Sequence, residues 1–311
     1  MSQRIVIACK KTAREFFAER YGENWRAVLE RFDLELAEVE QEHQEHYRTV
    51  EELVRAFLAH GIVPEVLPSR RYDRAAFTGA SLVISVGGDG EMLDVARYVP
   101  GEELIVGFRS GGGSVGRLLA PAGLSPAELA AQYFAGRYRV ERWTRLEGTV
   151  RDGGPTITDL ALNEIYVGDR YSVGTARYTL HFGDQEEKQR SSGILVSTGA
   201  GSTGWYANVV VATASGYRTG EPFPPDSPEL RFVVRDLIRT PGGATLSAGT
   251  IPPEGRLIIK STMNSDGLVS FDCSKLSYEN ARAYAFNRGA TVEIRARPGS
   301  LRVLQPERPA S

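Results

Sequence analysis

Cysteine is nearly absent from this chain. Its 311 residues hold two, Cys9 and Cys273, with no CxxC pair and no histidine beside either. That excludes a disulfide scaffold and a Cys/His zinc site, and both thiols are expected to be reduced, as in a cytosolic protein. Histidine is scarce too: His43, His46, His60 and His181 show no metal-ligand spacing with acidic neighbours, and surface or core roles are expected of them. Charge of one sign is also missing. Lys+Arg number 37 against Asp+Glu 39, a net charge of −2, so nothing global points to nucleic acid or to an anionic membrane, and any anionic ligand must be held by a local site. No run approaches the roughly 18–20 consecutive apolar residues of a membrane span. Met1 to Ala8 enters an apolar strand-like run almost at once, so no signal or transit segment is expected and a cytoplasmic location is. Walker A, G-x-G-x-x-G and G-x-S-x-G patterns are all lacking, which leaves the familiar ATPase, dehydrogenase and serine hydrolase modes unsupported.

What is present divides by periodicity. The chain exceeds what one compact core usually takes, so two domains are the default. The first third alternates strands and helices. Arg4 to Cys9, Ile62 to Leu67, Ser81 to Val86 and Leu104 to Gly107 read as strands, the second near a sheet edge because Pro64 interrupts it. Val50, Leu53, Val54, Phe57 and Leu58 form a helical stripe that Gly61 closes, and Ser125 to Ala135 reads as a further helix. This alternation implies a small parallel sheet faced by helices. From about Thr144 to Ser277 helix periodicity nearly disappears. Short strands take over, among them Leu146 to Val150, Leu160 to Val167, Tyr178 to Phe182, Leu230 to Val234, Arg256 to Lys260 and Leu268 to Phe271. Ala290 to Arg295 and Leu301 to Leu304 add two closing strands, and Thr213 to Pro228 reads as a long exposed loop. The fold class expected is an α/β N-terminal domain with a small parallel sheet plus a β-rich, sandwich-like C-terminal domain.

Three segments could carry chemistry. In the first, a continuously apolar strand delivers the chain to Gly87-Gly88-Asp89-Gly90, and Met92 to Ala96 begins a helix. Ligands of open α/β sheets bind outside the carboxyl ends of strands. Glycines let peptide N–H groups approach phosphate oxygens, and a carboxylate among them can take a hydroxyl proton or hold a metal ion. The bland alternative is a corner whose Asp only caps the helix. The second segment is Asn163-Glu164, polar within an apolar strand. A buried carboxylate costs several kcal/mol unless it finds partners, and sugar hydroxyls or the amine edge of a base would supply them. Strand alternation could equally turn Glu164 to solvent. The third segment runs from Ser191 to Tyr206, where small residues and the hydroxyls of Ser202 and Thr203 lead through Gly204 to Trp205 and Tyr206. Such a loop exposes backbone donors and offers a flat ring to a base. Arg109 to Arg117, rich in glycine, is a candidate phosphate loop or a mobile lid, with Arg117 a possible phosphate contact.

Taken in order, Gly87–Gly90, Asn163-Glu164 and Gly199–Tyr206 resemble the motifs of the NAD kinase family. The wording Ser197-Thr198-Gly199-Ala200-Gly201-Ser202, with Trp205 behind it, and Phe232-Val233-Val234-Arg235-Asp236 are similar to the branch that includes the mitochondrial enzymes. The likeness covers about residues 80 to 305. It implies three segments: 1–142, an α/β domain carrying the Gly-Gly-Asp-Gly turn; 143–278, a β-rich nucleotide-binding domain; and 279–311, a tail returning to the first. It implies transfer of a phosphoryl group from ATP or a related donor to the 2′-hydroxyl of the adenosine ribose of NAD. Asp89 would orient and deprotonate that hydroxyl, Asn163 would read adenine and Glu164 would bind sugar hydroxyls. Ser202, Thr203, Gly204 and Trp205 would hold the dinucleotide. The peptides of Gly87, Gly88 and Gly90, with Mg²⁺ brought by ATP, would offset donor charge. No tightly bound prosthetic group, no protein-built metal site, no nucleic acid and no membrane partner is implied, and a homodimer or homotetramer is.

Three departures from the family pattern stand out: Glu91 in place of Thr or Ser, Ser192 in place of Asp, and Arg117 in place of an aromatic residue. A carboxylate about 4 Å from a like charge is repelled by about 4 kcal/mol at an effective dielectric near 20, so Glu91 must point away, bind Mg²⁺ or be protonated. Two other readings stay open: a kinase of the same superfamily acting on a sugar or lipid hydroxyl, and a non-catalytic nucleotide-binding protein.

Overall fold

The computed structural model describes residues 3–31, 35–111, 116–171, 174–212, 221–239, 244–273 and 282–308. Gly112 to Val115 of the glycine-rich run and Thr213 to Gly220 of the expected long loop lie outside these residues. The chain divides into two compact units, Met1–Glu141 with Leu301–Ser311, and Arg142–Ser300.

In the first unit the elements are β1 (Ile5–Cys9), α1 (Ala13–Tyr21), α2 (Trp25–Arg31), α3 (Leu36–Leu58), β2 (Glu65–Pro68), α4 (Arg74–Phe77), β3 (Leu82–Gly87), α5 (Asp89–Tyr98), β4 (Leu104–Arg109) and α6 (Pro126–Phe134). The four strands pair in parallel in the order β2-β1-β3-β4. β1 and β3 are buried along their whole length, as the centre of a parallel sheet covered on both faces must be. β2 takes the edge, and the strand starts after Pro64 because proline has no N–H to give the ladder. The α3 stripe works as its spacing requires, with Val50, Leu53 and Phe57 buried in the core beside Ile5, Ile84 and Val106. Gly61 closes the helix at φ +79°: its N–H donates to Leu58 O and that of Ile62 to Phe57 O, a Schellman pair that satisfies two terminal carbonyls. Ser125 and Glu128 form a capping box at the start of α6.

The second unit holds two antiparallel layers. Its strands are β5 (Tyr138–Arg151, its first four residues in the first unit), β6 (Ile157–Ala161), β7 (Glu164–Asp169), β8 (Ala176–Phe182), β9 (Gln185–Ser191), β10 (Ile194–Ser197), β11 (Leu230–Val234), β12 (Ala248–Ile251), β13 (Arg256–Ser261), β14 (Gly267–Phe271), β15 (Ala283–Ala285) and β16 (Thr291–Pro306, its last six residues in the first unit), with one α-helix among the described residues, α7 (Trp205–Ala212). One layer runs β12-β11-β10-β7-β14-β15. The other pairs β9-β8-β13-β16 and joins β5 to β6. Ile165 and Val167 point into the core between the layers with Leu180, Phe232, Ile259 and Phe271. Tyr166 points to the opposite face and meets Leu195, Val233 and the α7 residues Tyr206 and Val209. A sandwich sheet with a helix on its outer face is buried on both sides, which is why these strands read as continuous apolar runs.

Three expectations are corrected. Leu160 to Val167 is not one strand: it breaks at Leu162 and Asn163, because the carboxylate of Asp272 draws the N–H groups of Leu162, Asn163 and Glu164 out of any ladder. The two closing strands are one, β16. It turns at Pro298 and Gly299, where φ is +60°, pairing with β13 before the bend and β4 after it. α7 was not foreseen; its valine-rich sequence favours a strand by local preference, and burial against β10 and β11 overrides that.

Candidate active site

In the strand order β2-β1-β3-β4 the direction of winding reverses between β1 and β3, and ligands of such sheets gather outside the carboxyl ends at that point. Gly87 ends β3 there. Gly88 is the N-cap of α5, and Asp89 and Gly90 already form the helix's first turn rather than a free loop. Asp89 Oδ2 accepts the N–H of Arg117 at 2.9 Å and Oδ1 that of Leu118 at 3.0 Å. These two bonds leave lone pairs on both oxygens. Gly116 is where this approach needs a glycine, because a Cβ there would overlap Asp89 Oδ1. Arg109, at the end of β4, donates to Gly116 O at 2.9 Å and so braces the same turn. Arg117 itself is exposed, and it is its backbone that touches Asp89.

Glu91 resolves the charge conflict by turning inward. It is buried, and Oε1 accepts the Tyr72 hydroxyl at 2.5 Å. Burial pushes its carboxyl up to about 7; Asp94 adds to the rise, while the Tyr72 bond and the charge of Lys10 oppose it. A raised folded value means that the folded chain holds the proton more tightly. The stability this gives is fully present below about 4.5 and is lost as pH rises through 7. Glu91→Gln keeps an acceptor for Tyr72 without the charge. It is expected to raise stability near pH 8 by up to about 3 kcal/mol and to converge with the parent toward pH 4.5. Denaturant titration at both pH values checks this, and an equal effect at the two would refute it.

In the second unit, Asn163 sits at the break between β6 and β7, and Glu164 opens β7 opposite Ser197 of β10. The break is pinned from two sides. Asp272 accepts the three peptide N–H groups named above, and its own N–H donates to Glu164 O at 2.8 Å. From the third motif, Thr198 donates its N–H to Asn163 O at 3.0 Å and its hydroxyl to Leu162 O at 2.5 Å. Gly201 packs so closely on Asn163 O that a Cβ there would collide with it. Arg282 closes a fully buried ion pair with Asp272 at 2.6 Å.

This frame ends in two buried acceptors without partners among the described residues, Asn163 Oδ1 and Glu164 Oε2. The other Glu164 oxygen, Oε1, accepts the Cys273 thiol at 3.1 Å. Burial raises the Glu164 carboxyl to about 7, the Asp272 charge adding to the rise and the thiol opposing it. Asp272 and Cys273 carry this arrangement at φ +48° and +50°, the left-handed region, which costs roughly 1–2 kcal/mol per non-glycine residue. Strain of that kind persists where its surroundings over-determine it.

Ser202 is buried and doubly engaged, its hydroxyl donating to Gly199 O and accepting the N–H of Phe223. Thr203 ends a short helical turn that the N–H of Gly204 closes, immediately before α7. Trp205 opens α7 with its ring 5.4 Å from that of Tyr166 and the Arg235 guanidinium 5.2 Å from its centroid. Ser192 bonds through its backbone, its N–H to Arg235 O and its carbonyl to the Tyr166 hydroxyl. Sequence reasoning assigned no site role to Asp272, Cys273, Arg282 or Tyr72. The only signal for the first was an acid directly after an apolar strand, and its partner Arg282 lies ten residues on.

The fold joins an α/β unit with a parallel sheet to a β-rich unit of two antiparallel layers. The Archaeoglobus fulgidus NAD kinase solved in complex with ATP superposes with a TM-score of 0.59 at 19% identity, covering 97% of this chain and 93% of that one. Yeast NADH kinase complexed with NADH gives 0.64 at 13% identity, covering 99% and 84%. In sequence the chain is 26% identical to human mitochondrial NAD kinase 2 over 255 residues, 66% of this chain, and spans 58% of that protein's length. No family model matches. The fold is that of the NAD kinases, and the sequence likeness supports the NAD kinase family for this chain.

Proposed function

We propose that this protein is an NAD kinase that moves the γ-phosphoryl group of ATP to the 2′-hydroxyl of the adenosine ribose of NAD. The carrying observation is the pair of unpartnered buried acceptors, Asn163 Oδ1 and Glu164 Oε2. A buried acceptor without a partner costs about 1–3 kcal/mol, and a ligand with donor groups recovers it. An adenosine carries such donors in its exocyclic amine and ribose hydroxyls, whereas a lipid chain carries none. Asn163 reads the base and Glu164 the sugar, with Ser202, Thr203, Gly204 and Trp205 shaping the loop that holds the dinucleotide.

Asp89 takes the proton of the 2′-hydroxyl as its oxygen bonds the γ-phosphorus and the bond to the β-phosphate oxygen breaks, releasing ADP. In this proposal the peptides of Gly87, Gly88 and Gly90 and the side chain of Arg117 offset the transferred charge. Positioning and electrostatics are the main protein contributions in such transfers. Among the described residues no group of three or more His, Cys, Asp or Glu side chains gathers to hold a metal. Mg²⁺ enters the proposal as part of the MgATP substrate, as the family resemblance implies. No helix among the described residues is long and apolar enough to cross a membrane. A cytoplasmic location fits the two free cysteines, and a homodimer or homotetramer is carried over from the family resemblance.

Incubation of the purified chain with NAD, ATP and Mg²⁺, read by an NADP-specific dehydrogenase, is expected to yield NADP. NAD binding without product would leave a nucleotide-binding protein. Neither binding nor product would end the NAD assignment.

A further inference from the structure

We infer that Cys273 is a positioning residue for nucleotide recognition: its thiol holds Glu164 Oε1 and thereby presents Oε2 as the one open acceptor for a ribose hydroxyl. The identity of that ligand rests on the NAD kinase reading; the contact itself does not.

Three observations converge on it. Glu164 is 4% exposed, and of its two oxygens one meets the Cys273 sulfur at 3.1 Å and the other has no hydrogen-bond partner among the described residues. A carboxylate with both oxygens open could rotate and accept a sugar in several poses; one with a fixed oxygen has a single direction left. The second observation is backbone strain. Asp272 is anchored by three peptide N–H groups and Arg282, and this network carries the chain through two consecutive left-handed residues. The sulfur contact is what that turn delivers. The third is the thiol's electrostatic state. Burial and the neighbouring Glu164 charge push its ionisation well above the ordinary range, so it stays S–H and remains a donor. The other groups facing Glu164 are Asp272 and, through it, Arg282; Ser197, opposite on β10, does not titrate.

The prediction separates donor loss from simple packing. Cys273→Ala is expected to raise the KM for NAD by about tenfold, the scale of one lost hydrogen bond, with most of the effect on KM rather than kcat. Because the thiol lowers the Glu164 carboxyl, the same variant should move the pH midpoint of NAD affinity upward. Cys273→Ser, which keeps a donor, should lie near the parent in both. Parent-like KM and midpoint in the alanine variant, or a serine variant as impaired as alanine, would overturn the inference. A ligand-free arm guards against failure of the NAD reading. Cys9 is buried and Cys273 exposed, so iodoacetamide under native conditions reads Cys273 alone. Glu164→Gln removes the charge that suppresses its thiolate and should speed alkylation by at least about threefold. An unchanged rate would overturn the contact whether or not the chain makes NADP. No NADP from the parent, with faster alkylation in Glu164→Gln, would end the NAD reading and keep the pairing.

Discussion

Asp89→Asn is expected to lower kcat for NAD phosphorylation by at least about 100-fold while leaving the chain folded. General base catalysis contributes about 10²–10⁴-fold to such reactions, and an amide cannot take the proton. The side chain has a second duty. Its two oxygens accept the N–H groups of Arg117 and Leu118. In the amide one of these bonds survives and the other becomes a donor facing a donor. Circular dichroism and a melting curve must therefore accompany the kinetics. Asp89→Glu provides the control: it keeps a base but displaces it, so it should recover part of the activity without restoring both bonds. Near-parent kcat in Asp89→Asn would remove Asp89 from the mechanism.

The largest loss of stability is expected at a residue that carries no proposed chemistry. Asp272→Ala takes the carboxylate from a fully buried ion pair with Arg282 and from three peptide N–H groups at Leu162, Asn163 and Glu164. Breaking one side of a buried pair costs about 3–5 kcal/mol, because the remaining charge stays buried. For a unit of this size that corresponds to a fall in Tm of about 10 °C. NAD binding should fail with it, since the break that aims Asn163 and Glu164 is built on those three bonds. Removing the guanidinium as well, in Asp272→Ala with Arg282→Met, should recover part of the loss. A single variant that melts within about 1 kcal/mol of the parent would show that solvent or a shifted side chain replaces Asp272 at little cost.

How far the site was legible depended on whether a residue's partners were close in sequence. Gly87–Gly90 was readable because strand, turn and helix start are contiguous, and the structure altered it only by drawing Asp89 into the first turn of α5. Gly61 was readable for the same reason, since a cap is a local hydrogen-bond pattern. Asn163-Glu164 stood out as polar residues in an apolar run, but whether they faced solvent or a closed frame was undecided. The deciding carboxylate is more than a hundred residues away, at Asp272. Glu91 presented a conflict that could be stated but not solved, because Tyr72, which receives it, lies in the connection between β2 and α4 with no pattern linking the two.

By itself, the sequence determined the two-part architecture, through hydrophobic periodicity and turn chemistry that act over a few residues, and it marked the strand-end carboxylate, Asp89. Only the tertiary structure decided which polar groups are satisfied. Glu91 is spent inward on Tyr72 and Ser202 on its own loop, whereas Asn163 Oδ1 and Glu164 Oε2 are left open. The reason is physical: a hydrogen bond needs its partner within about 3 Å and correctly aimed. For these residues that distance is set by packing of strands far apart along the chain.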